Sequence, residues 1–174
     1  MVGDMKFGRT VKSLAKLLAT AGYNNTIIFV APQGLEMPAE TLAELEGRVE
    51  IIQTDSLEDA YNANVVYWTR VQKEWFTDND LLEFYGEIKD KFILTPEIAD
   101  HFPSDTIFMH PLPRVNEISE EIDTDPRALY FEQMANAHSI RMALLSAMLV
   151  EDPYKKIEQS RLAKIIAGFR AMFA

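Results

Sequence analysis

Short apolar runs and stretches of helical character alternate along most of the chain. Continuous apolar runs of strand length indicate buried strands, and they occur at 26–31, 49–52, 65–68, 92–94 and 106–109. Helical segments are predicted between them, at 11–21, 38–45, 78–89 and 95–101. This alternation is typical of an α/β protein with a parallel sheet. We therefore predict a three-layer sandwich with a mainly parallel, five-strand Rossmann-like sheet, followed by C-terminal helices.

The pattern is helical from Pro126 to the end of the chain. Apolar positions over 127–150 predict two helices that are broken near 135–138. Pro153 begins a last amphipathic helix, whose apolar positions are Leu162, Ile165, Ile166, Phe169, Met172 and Phe173. We predict one domain over residues 1–150 and a C-terminal helix over 151–174, packed on that domain or on a partner.

Composition excludes several classes of function. The formal net charge of −10 argues against a nucleic-acid-binding protein, and no apolar run is long enough to span a membrane. The chain has no cysteine, which excludes disulfides and cysteine metal sites and is compatible with a reducing cytoplasm. It also lacks a Gly-x-Gly-x-x-Gly dinucleotide motif. We expect a soluble cytoplasmic protein without cofactor or metal.

One candidate ligand-binding loop, with the sequence His-Pro-Leu-Pro-Arg-Val-Asn-Glu-Ile at 110–118, follows the predicted strand 106–109. Ligands of open α/β sheets bind at the carboxyl ends of strands, where this loop would lie. Its prolines lack amide donors and leave the backbone carbonyls free to accept from a ligand. The bond before Pro113 is also a candidate cis peptide. The alternative is an ordinary proline-rich connection.

Arginines in two other places could bind an anion. Arg9 lies in the first turn of the predicted helix 11–21, where free amides and the helix dipole already favour a carboxylate. Arg70 follows the strand 65–68, with Gln72 as a further donor and Glu74 as a residue that could orient Arg70. Together with Arg114 they could create a local positive potential in an acidic protein. The alternative for each is a solvated surface residue.

Three ordered segments resemble one family. They are Gly-Asp-Met-Lys-Phe-Gly-Arg-Thr-Val-Lys-Ser-Leu at 3–14, Tyr-Trp-Thr-Arg-Val-Gln-Lys-Glu at 67–74, and the loop at 110–118. Together they resemble the C-terminal, aspartate-binding half of the catalytic chain of aspartate carbamoyltransferases, over residues 1 to about 150. Ornithine carbamoyltransferase is a weaker match, because that family carries cysteine in the corresponding His-Cys-Leu-Pro loop and this chain has none.

The resemblance implies a reaction and a role for each candidate. In that family the amine of L-aspartate attacks carbamoyl phosphate, which gives carbamoyl aspartate and phosphate for pyrimidine synthesis. By the family pattern Arg9 would bind the α-carboxylate of aspartate. Arg70 and Gln72 would bind its β-carboxylate, and Glu74 would keep Arg70 aimed.

The same resemblance assigns the backbone carbonyls of Pro111 and Leu112 to the carbamoyl amino group. It also implies that the half that binds carbamoyl phosphate is absent, so we expect this chain to be inactive alone. We expect a monomer, although the full-length enzyme would be a homotrimer. Two positions depart from the family pattern: Trp75 stands where arginine is common, and 134–137 replaces a glycine-bearing segment. The alternative function is a non-catalytic module that binds dicarboxylates or docks on a partner enzyme.

Overall fold

The computed structural model describes residues 1–21, 25–71 and 79–149. The chain divides into two compact units, Met1–Phe131 and Glu132–Ala174, which are described separately. The amphipathic helix predicted for 151–174 lies outside the described residues, so that helix and the domain boundary at 150 stay predictions.

The first unit contains two pairs of parallel strands. Strand β1 (Thr26–Val30) pairs with β2 (Glu50–Thr54), and β3 (Val65–Tyr67) pairs with β4 (Ile107–Met109). Each was predicted from an apolar run, and each is found within a few residues of its predicted bounds. The parallel pairing confirms the α/β class.

The N-terminal segment lies between these two pairs of strands. Val2 forms one parallel bridge to Val30, at the end of β1, and another to Trp68, just after β3. The amide of Val2 donates to the Tyr67 carbonyl at 2.9 Å, and the amide of Gly3 donates to the Val30 carbonyl at 3.0 Å. The pattern of the sequence did not predict this connection, because so short a segment carries no period.

The predicted strand at 92–94 is wrong. Leu94 forms a single parallel bridge to Ile118 and no ladder. The carbonyl of Phe92 instead accepts a hydrogen bond from the indole Nε1 of Trp68 at 3.3 Å. The five-strand sheet is therefore not confirmed, and the described strands are the two parallel pairs that Val2 bridges.

Helices pack against this framework. They are α1 (Arg9–Thr20), α2 (Ala39–Leu45), α3 (Asn79–Ile88) and α4 (Pro96–Ala99), with 3-10 turns at Leu57–Ala60 and Glu120–Thr124. The buried face of α1 consists of Val11, Ala15 and Ala19, which recur every four residues as a helix against a core requires. Helix α4 begins where the Thr95 hydroxyl accepts a hydrogen bond from the amide of Ile98.

Two apolar clusters hold the strand ends in place. One contains Val2, Trp68 and Phe108, so it packs the N-terminal segment against β3 and β4. The other contains Val11 and Phe29 and packs α1 against β1. Because the clusters include residues of β1, β3 and β4, the strands that lead into the candidate loops are anchored in the core.

Helix α5 (Tyr130–Leu149) is continuous through residues 135–138, so the predicted break there is wrong. Ala135 and Ala137 are strong helix formers, and they outweigh the polar residues between and beside them. Large apolar side chains of α5 are exposed: Met134, Ile140, Met142, Leu144, Leu145, Met148 and Leu149. Among the described residues, none of the helices is both long and apolar enough to cross a membrane.

Candidate functional site

The candidate segments leave the same edge of the sheet. The amide of Thr69 donates to the Val2 carbonyl at 2.8 Å, and the amide of Trp68 donates to the Met109 carbonyl at 2.8 Å. The N-terminal segment, β3 and β4 are therefore neighbours and run in the same direction. Arg70 lies just beyond Trp68 and Thr69 at the end of β3, and the loop 110–118 follows β4 directly. The structure thus brings Arg70 and this loop to one carboxyl edge, which is the usual ligand site of such sheets.

A turn built on Asp4 leads from the N-terminal segment to α1. Asp4 is fully buried, and its Oδ1 accepts a hydrogen bond from the amide of Phe7 at 2.8 Å. Burial raises the pKa of the Asp4 carboxyl, and the hydrogen bonds from backbone amides of this turn offset only part of that rise. A Cβ atom on Gly8 would lie 2.3 Å from the Asp4 carbonyl, so only glycine fits there. The turn places Arg9 immediately after Gly8.

Arg9 lies in the first turn of α1, as predicted, and is exposed. No side chain caps this end of the helix, and its first turn contains no acidic residue. Helix N-termini of this kind attract anions. The hydroxyl group of Thr10 is hydrogen-bonded to Tyr67 of β3, whose pKa is raised by burial despite this bond. The start of α1 is thereby attached to the strand that leads to Arg70.

Arg70 is partly buried, and the backbone before it is closely packed. The hydroxyl of the buried Thr69 donates to the Val2 carbonyl at 3.1 Å. Gly3 has a φ of +116°, and a Cβ atom on it would lie 2.2 Å from the Thr69 carbonyl oxygen. This close approach fixes the start of the Arg70 loop. Gln72 and Glu74, and also Trp75, lie outside the described residues, so their roles stay predictions.

The loop 110–118 presents the carbonyl groups that its sequence led us to expect. Pro111 and Leu112 are half-buried, and no group in the described part of the chain donates to either carbonyl oxygen. The peptide bond between Leu112 and Pro113 is cis. Leu112 has a φ of +49°, in the left-handed region that side-chain-bearing residues rarely occupy.

A buried pair, His110 and Glu117, holds the two ends of this loop. The Nε2 atom of His110 lies 2.9 Å from the Oε1 atom of Glu117. The other carboxylate oxygen of Glu117 accepts hydrogen bonds from the amides of Val115 and Asn116, each at 3.1 Å. Burial raises the pKa of Glu117, but the contact with His110 and these backbone bonds outweigh it, and the pKa lies below its usual value. No motif in the sequence had assigned a role to either residue.

The guanidinium of Arg114 is already paired within the protein, so the prediction that Arg114 contributes to an anion-binding site is wrong. Its guanidinium forms a bidentate ion pair with Asp123, in which Nη2 lies 2.6 Å from Oδ2, and it also donates to the Tyr130 hydroxyl at 3.3 Å. The bond with Asp123 raises the pKa of Arg114, and the same bond lowers the pKa of Asp123. A charge that is already matched in this way is not available to a ligand.

A cavity of about 320 Å³ lies elsewhere, at the carboxyl ends of β1 and β2. Its lining includes Gln33, Glu36, Gln53 and Asp55, and none of the predicted site residues. We therefore place the candidate site at the edge formed by β3 and β4, which the segment of Arg70 and the loop 110–118 both leave.

Comparison with known proteins identifies the family of the chain. The model of the aspartate/ornithine carbamoyltransferase Asp/Orn-binding domain matches residues 1–148. The chain is 47% identical over 148 residues to the multifunctional protein pyr1-3 of Dictyostelium discoideum, covering 84% of this chain and 6% of that protein. It is 41% identical over 150 residues to the aspartate carbamoyltransferase catalytic subunit of Clostridium botulinum, covering 84% of this chain and 48% of that subunit.

Solved structures give the same result. An aspartate transcarbamoylase from Trypanosoma cruzi in complex with aspartate and phosphate has a TM-score of 0.76 and 36% identity, covering 83% of this chain and 48% of that one. The catalytic subunit of the M. jannaschii enzyme has a TM-score of 0.73 and 34% identity, covering 91% and 49%. The chain thus spans about half the length of the catalytic subunits that it matches. It belongs to the aspartate/ornithine carbamoyltransferase family, in which it corresponds to the Asp/Orn-binding domain.

Proposed function

We propose that the chain is the aspartate-binding domain of an aspartate carbamoyltransferase of pyrimidine biosynthesis. The observation that carries this proposal is the convergence of Arg70 and the open carbonyls of Pro111 and Leu112 on one carboxyl edge of the sheet. Arg9 follows the neighbouring N-terminal segment at the uncapped start of α1. Two cationic groups beside carbonyl acceptors suit a ligand with two carboxylates and a nearby amino group.

In this proposal the two carboxylates of L-aspartate are bound separately. Arg9 and the first turn of α1 bind the α-carboxylate, because the helix amides and the guanidinium both favour negative charge there. Arg70 binds the β-carboxylate, with Gln72 as a second donor and Glu74 as the residue that orients Arg70. Separate contacts at a fixed spacing would select a dicarboxylate of the length of aspartate.

The carbonyls of Pro111 and Leu112 accept hydrogen bonds from the amino group of the carbamoyl moiety. The aspartate amine attacks the carbamoyl carbon, a C–N bond forms, the bond from that carbon to the phosphate oxygen breaks, and the amine loses a proton as phosphate leaves. The protein contributes positioning and charge stabilisation. Carbamoyl phosphate itself needs phosphate-binding groups, which we assign to a second half of the enzyme.

Catalysis by this chain alone is the first test. We expect no carbamoyl aspartate from carbamoyl phosphate and aspartate, and some product when a separately produced N-terminal half of a relative is added. Turnover by the chain alone at about 1 per second or more, a rate typical of enzymes, would refute the assignment as an incomplete half. Aspartate binding without product in the mixture would favour the non-catalytic dicarboxylate-binding module.

Calorimetry with L-aspartate tests the role of Arg70. Replacing Arg70→Ala should weaken binding by about 1.5–3 kcal/mol, because a charge-assisted contact is lost. Arg48→Ala is the matched control, since Arg48 is exposed and lies near the start of β2, outside the proposed site. Equal losses in the two variants, or no loss in either, would contradict the proposed contact.

A further inference from the structure

His110 and Glu117 are buried ionisable residues for which the proposed reaction has no use. Their relative exposures are 2% and 3%, so neither can touch a substrate at the surface of the loop. His110 nevertheless contacts the backbone of the loop beside the carbonyls that are proposed to bind the ligand. Its Nδ1 atom accepts a hydrogen bond from the amide of Leu112 at 2.8 Å, while its Nε2 atom faces the carboxylate of Glu117 at 2.9 Å.

These contacts assign the proton on the imidazole ring. An Nδ1 atom that accepts a hydrogen bond carries no hydrogen, so the ring hydrogen is on Nε2 and points towards Glu117. The carboxylate of Glu117 is itself fixed by the amides of Val115 and Asn116. The Nε2 and Oε1 atoms lie 2.9 Å apart, within hydrogen-bonding distance, although their geometry is not that of an ideal hydrogen bond.

The amide of Leu112 and the carbonyl of Pro111 belong to one trans peptide unit. In such a unit the N–H and C=O groups point in opposite directions. When the N–H of Leu112 is held inward by His110, the carbonyl of Pro111 must point away from the interior. The same bond supports Leu112 in its left-handed conformation, which is unfavourable for a leucine without such support.

We infer that His110 and Glu117 are positioning residues that aim the Pro111 carbonyl and hold Leu112 in the conformation that opens the loop to its ligand. Glu117 fixes the tautomer of His110, His110 fixes the amide of Leu112, and that amide fixes the carbonyl of Pro111. The identity of the ligand, a carbamoyl amino group, rests on the proposed function. The chain of contacts from Glu117 through His110 to Leu112, which we call the relay, does not rest on that function and can be tested separately.

The first test is nuclear magnetic resonance on the intact chain. In the parent, the imidazole nitrogen shifts of His110 should identify the tautomer with hydrogen on Nε2. In Glu117→Gln the side-chain carbonyl is needed by the two loop amides, so its NH2 group would face Nε2 and favour hydrogen on Nδ1. A parent with hydrogen on Nδ1, or a tautomer unchanged by Glu117→Gln, would overturn the relay.

A matched pair of variants tests the next link. His110→Asn places an amide oxygen where Nδ1 lies and keeps an acceptor for Leu112, whereas His110→Gln extends to the position of Nε2 and does not. Hydrogen exchange at the Leu112 amide should be about tenfold faster in His110→Gln than in His110→Asn, as expected for one lost hydrogen bond. Equal protection in both would contradict the inference. If His110→Gln fails to fold, the tautomer measurement decides.

Activity in the mixture with the N-terminal half supplies the last readout. The kcat of His110→Gln should fall about tenfold below that of His110→Asn. The KM for aspartate should be similar in both variants, because Arg9 and Arg70 are unchanged. If His110 had only a structural role, both variants would be less stable, but their kcat values would not differ in this way. If the parent mixture is inactive, the proposed function fails, while the exchange and tautomer measurements still decide the relay.

Discussion

At the scale of single residues, the backbone around the candidate site is unusually constrained. Gly3 and Leu112 have positive φ values of +116° and +49°, and both precede or lie within segments that carry a proposed ligand contact. Glycine adopts a positive φ readily, whereas the conformation of Leu112 persists only where neighbouring contacts hold it, and such residues are concentrated at functional sites. Here the contacts are the Thr69 carbonyl, which lies against Gly3, and the imidazole of His110, which accepts from Leu112.

The ion pair between Arg114 and Asp123 gives a stability prediction. Arg114→Lys keeps the charge but loses the bidentate geometry, so the free energy of unfolding should fall by about 1–2 kcal/mol in urea titrations. Lys16→Gln is the control, because its pair with Glu44 is exposed and should contribute less than about 1 kcal/mol. A loss no larger than the control's would show that Arg114 is not held as the structure indicates.

In a polypeptide produced with Met1 as its first residue, the amino group of Met1 makes stability depend on pH. Its nitrogen is buried and donates to the Ile28 carbonyl at 2.7 Å, and burial lowers its pKa from 8.0 to about 5. Between pH 5 and 8 the unfolded chain binds a proton that the folded chain lacks, so stability rises with pH. The expected slope is about 1.4 kcal/mol per pH unit, flattening above pH 8.

The control is a chain with Gly-Ser added before Met1, in which this nitrogen is an uncharged amide. All side chains are common to both versions, so the difference between the two isolates the amino group. Urea unfolding of both chains between pH 5 and pH 8 should give the steeper slope for the unextended chain. Equal slopes would mean that the amino group is solvated in the folded state.

At the scale of elements, the strands were predictable where an apolar run indicates a buried strand. Strand β1 was expected at 26–31 and is found at Thr26–Val30. The same criterion failed at 92–94, where the apolar residues fill the core as part of a loop. It also failed for the N-terminal segment, which is too short to show a period.

The candidate site was predictable only in part, for a related reason. Arg9 at a helix start and Arg70 after a strand follow from local patterns, and the structure places both as expected. The contacts made by residues of the loop 110–118 do not follow from local patterns. His110 and Glu117 meet through the fold of a loop, and Arg114 meets Asp123 in the same way, so no periodicity reveals which residues come into contact.

The bridge through the N-terminal segment gives a prediction at this scale. Gly3→Ala should lower the free energy of unfolding by at least about 2 kcal/mol, because it combines an unfavourable φ with a contact of 2.2 Å. Gly86→Ala is the matched control: Gly86 lies within α3 and a Cβ atom there meets nothing within 4 Å, so stability should rise by about 0.5–1 kcal/mol. Thermal and urea unfolding measure both, and a tolerated Gly3→Ala would contradict the close packing before Arg70.

At the scale of the whole molecule, the state of association stays a prediction. We expect a monomer of these 174 residues at micromolar concentration, because the resemblance implies a full-length homotrimer held together mainly through the half that this sequence does not cover. The exposed apolar side chains of α5 are the feature that weighs against this expectation, since surfaces of this kind favour association.

Light scattering on the parent and on a Leu145→Lys, Met148→Lys double variant tests the expectation. Both positions are exposed on α5, so the substitutions leave the described core intact. We expect the monomer mass for both proteins. A parent dimer or trimer that becomes monomeric in the variant would identify α5 as the contact surface instead.

The central claim is that a dicarboxylate binds at the edge formed by β3 and β4. Titration of the isotope-labelled chain with L-aspartate, followed by amide chemical shifts, tests it most directly. Shifts should be largest at 9–11, at 69–71 and at Leu112 and Arg114, and they should be lost in Arg70→Ala. The cavity at the ends of β1 and β2 serves as an internal control, so amides at Gln33, Gln53 and Asp55 should not move. Changes centred on that cavity, or an identical response in Arg70→Ala, would contradict the account.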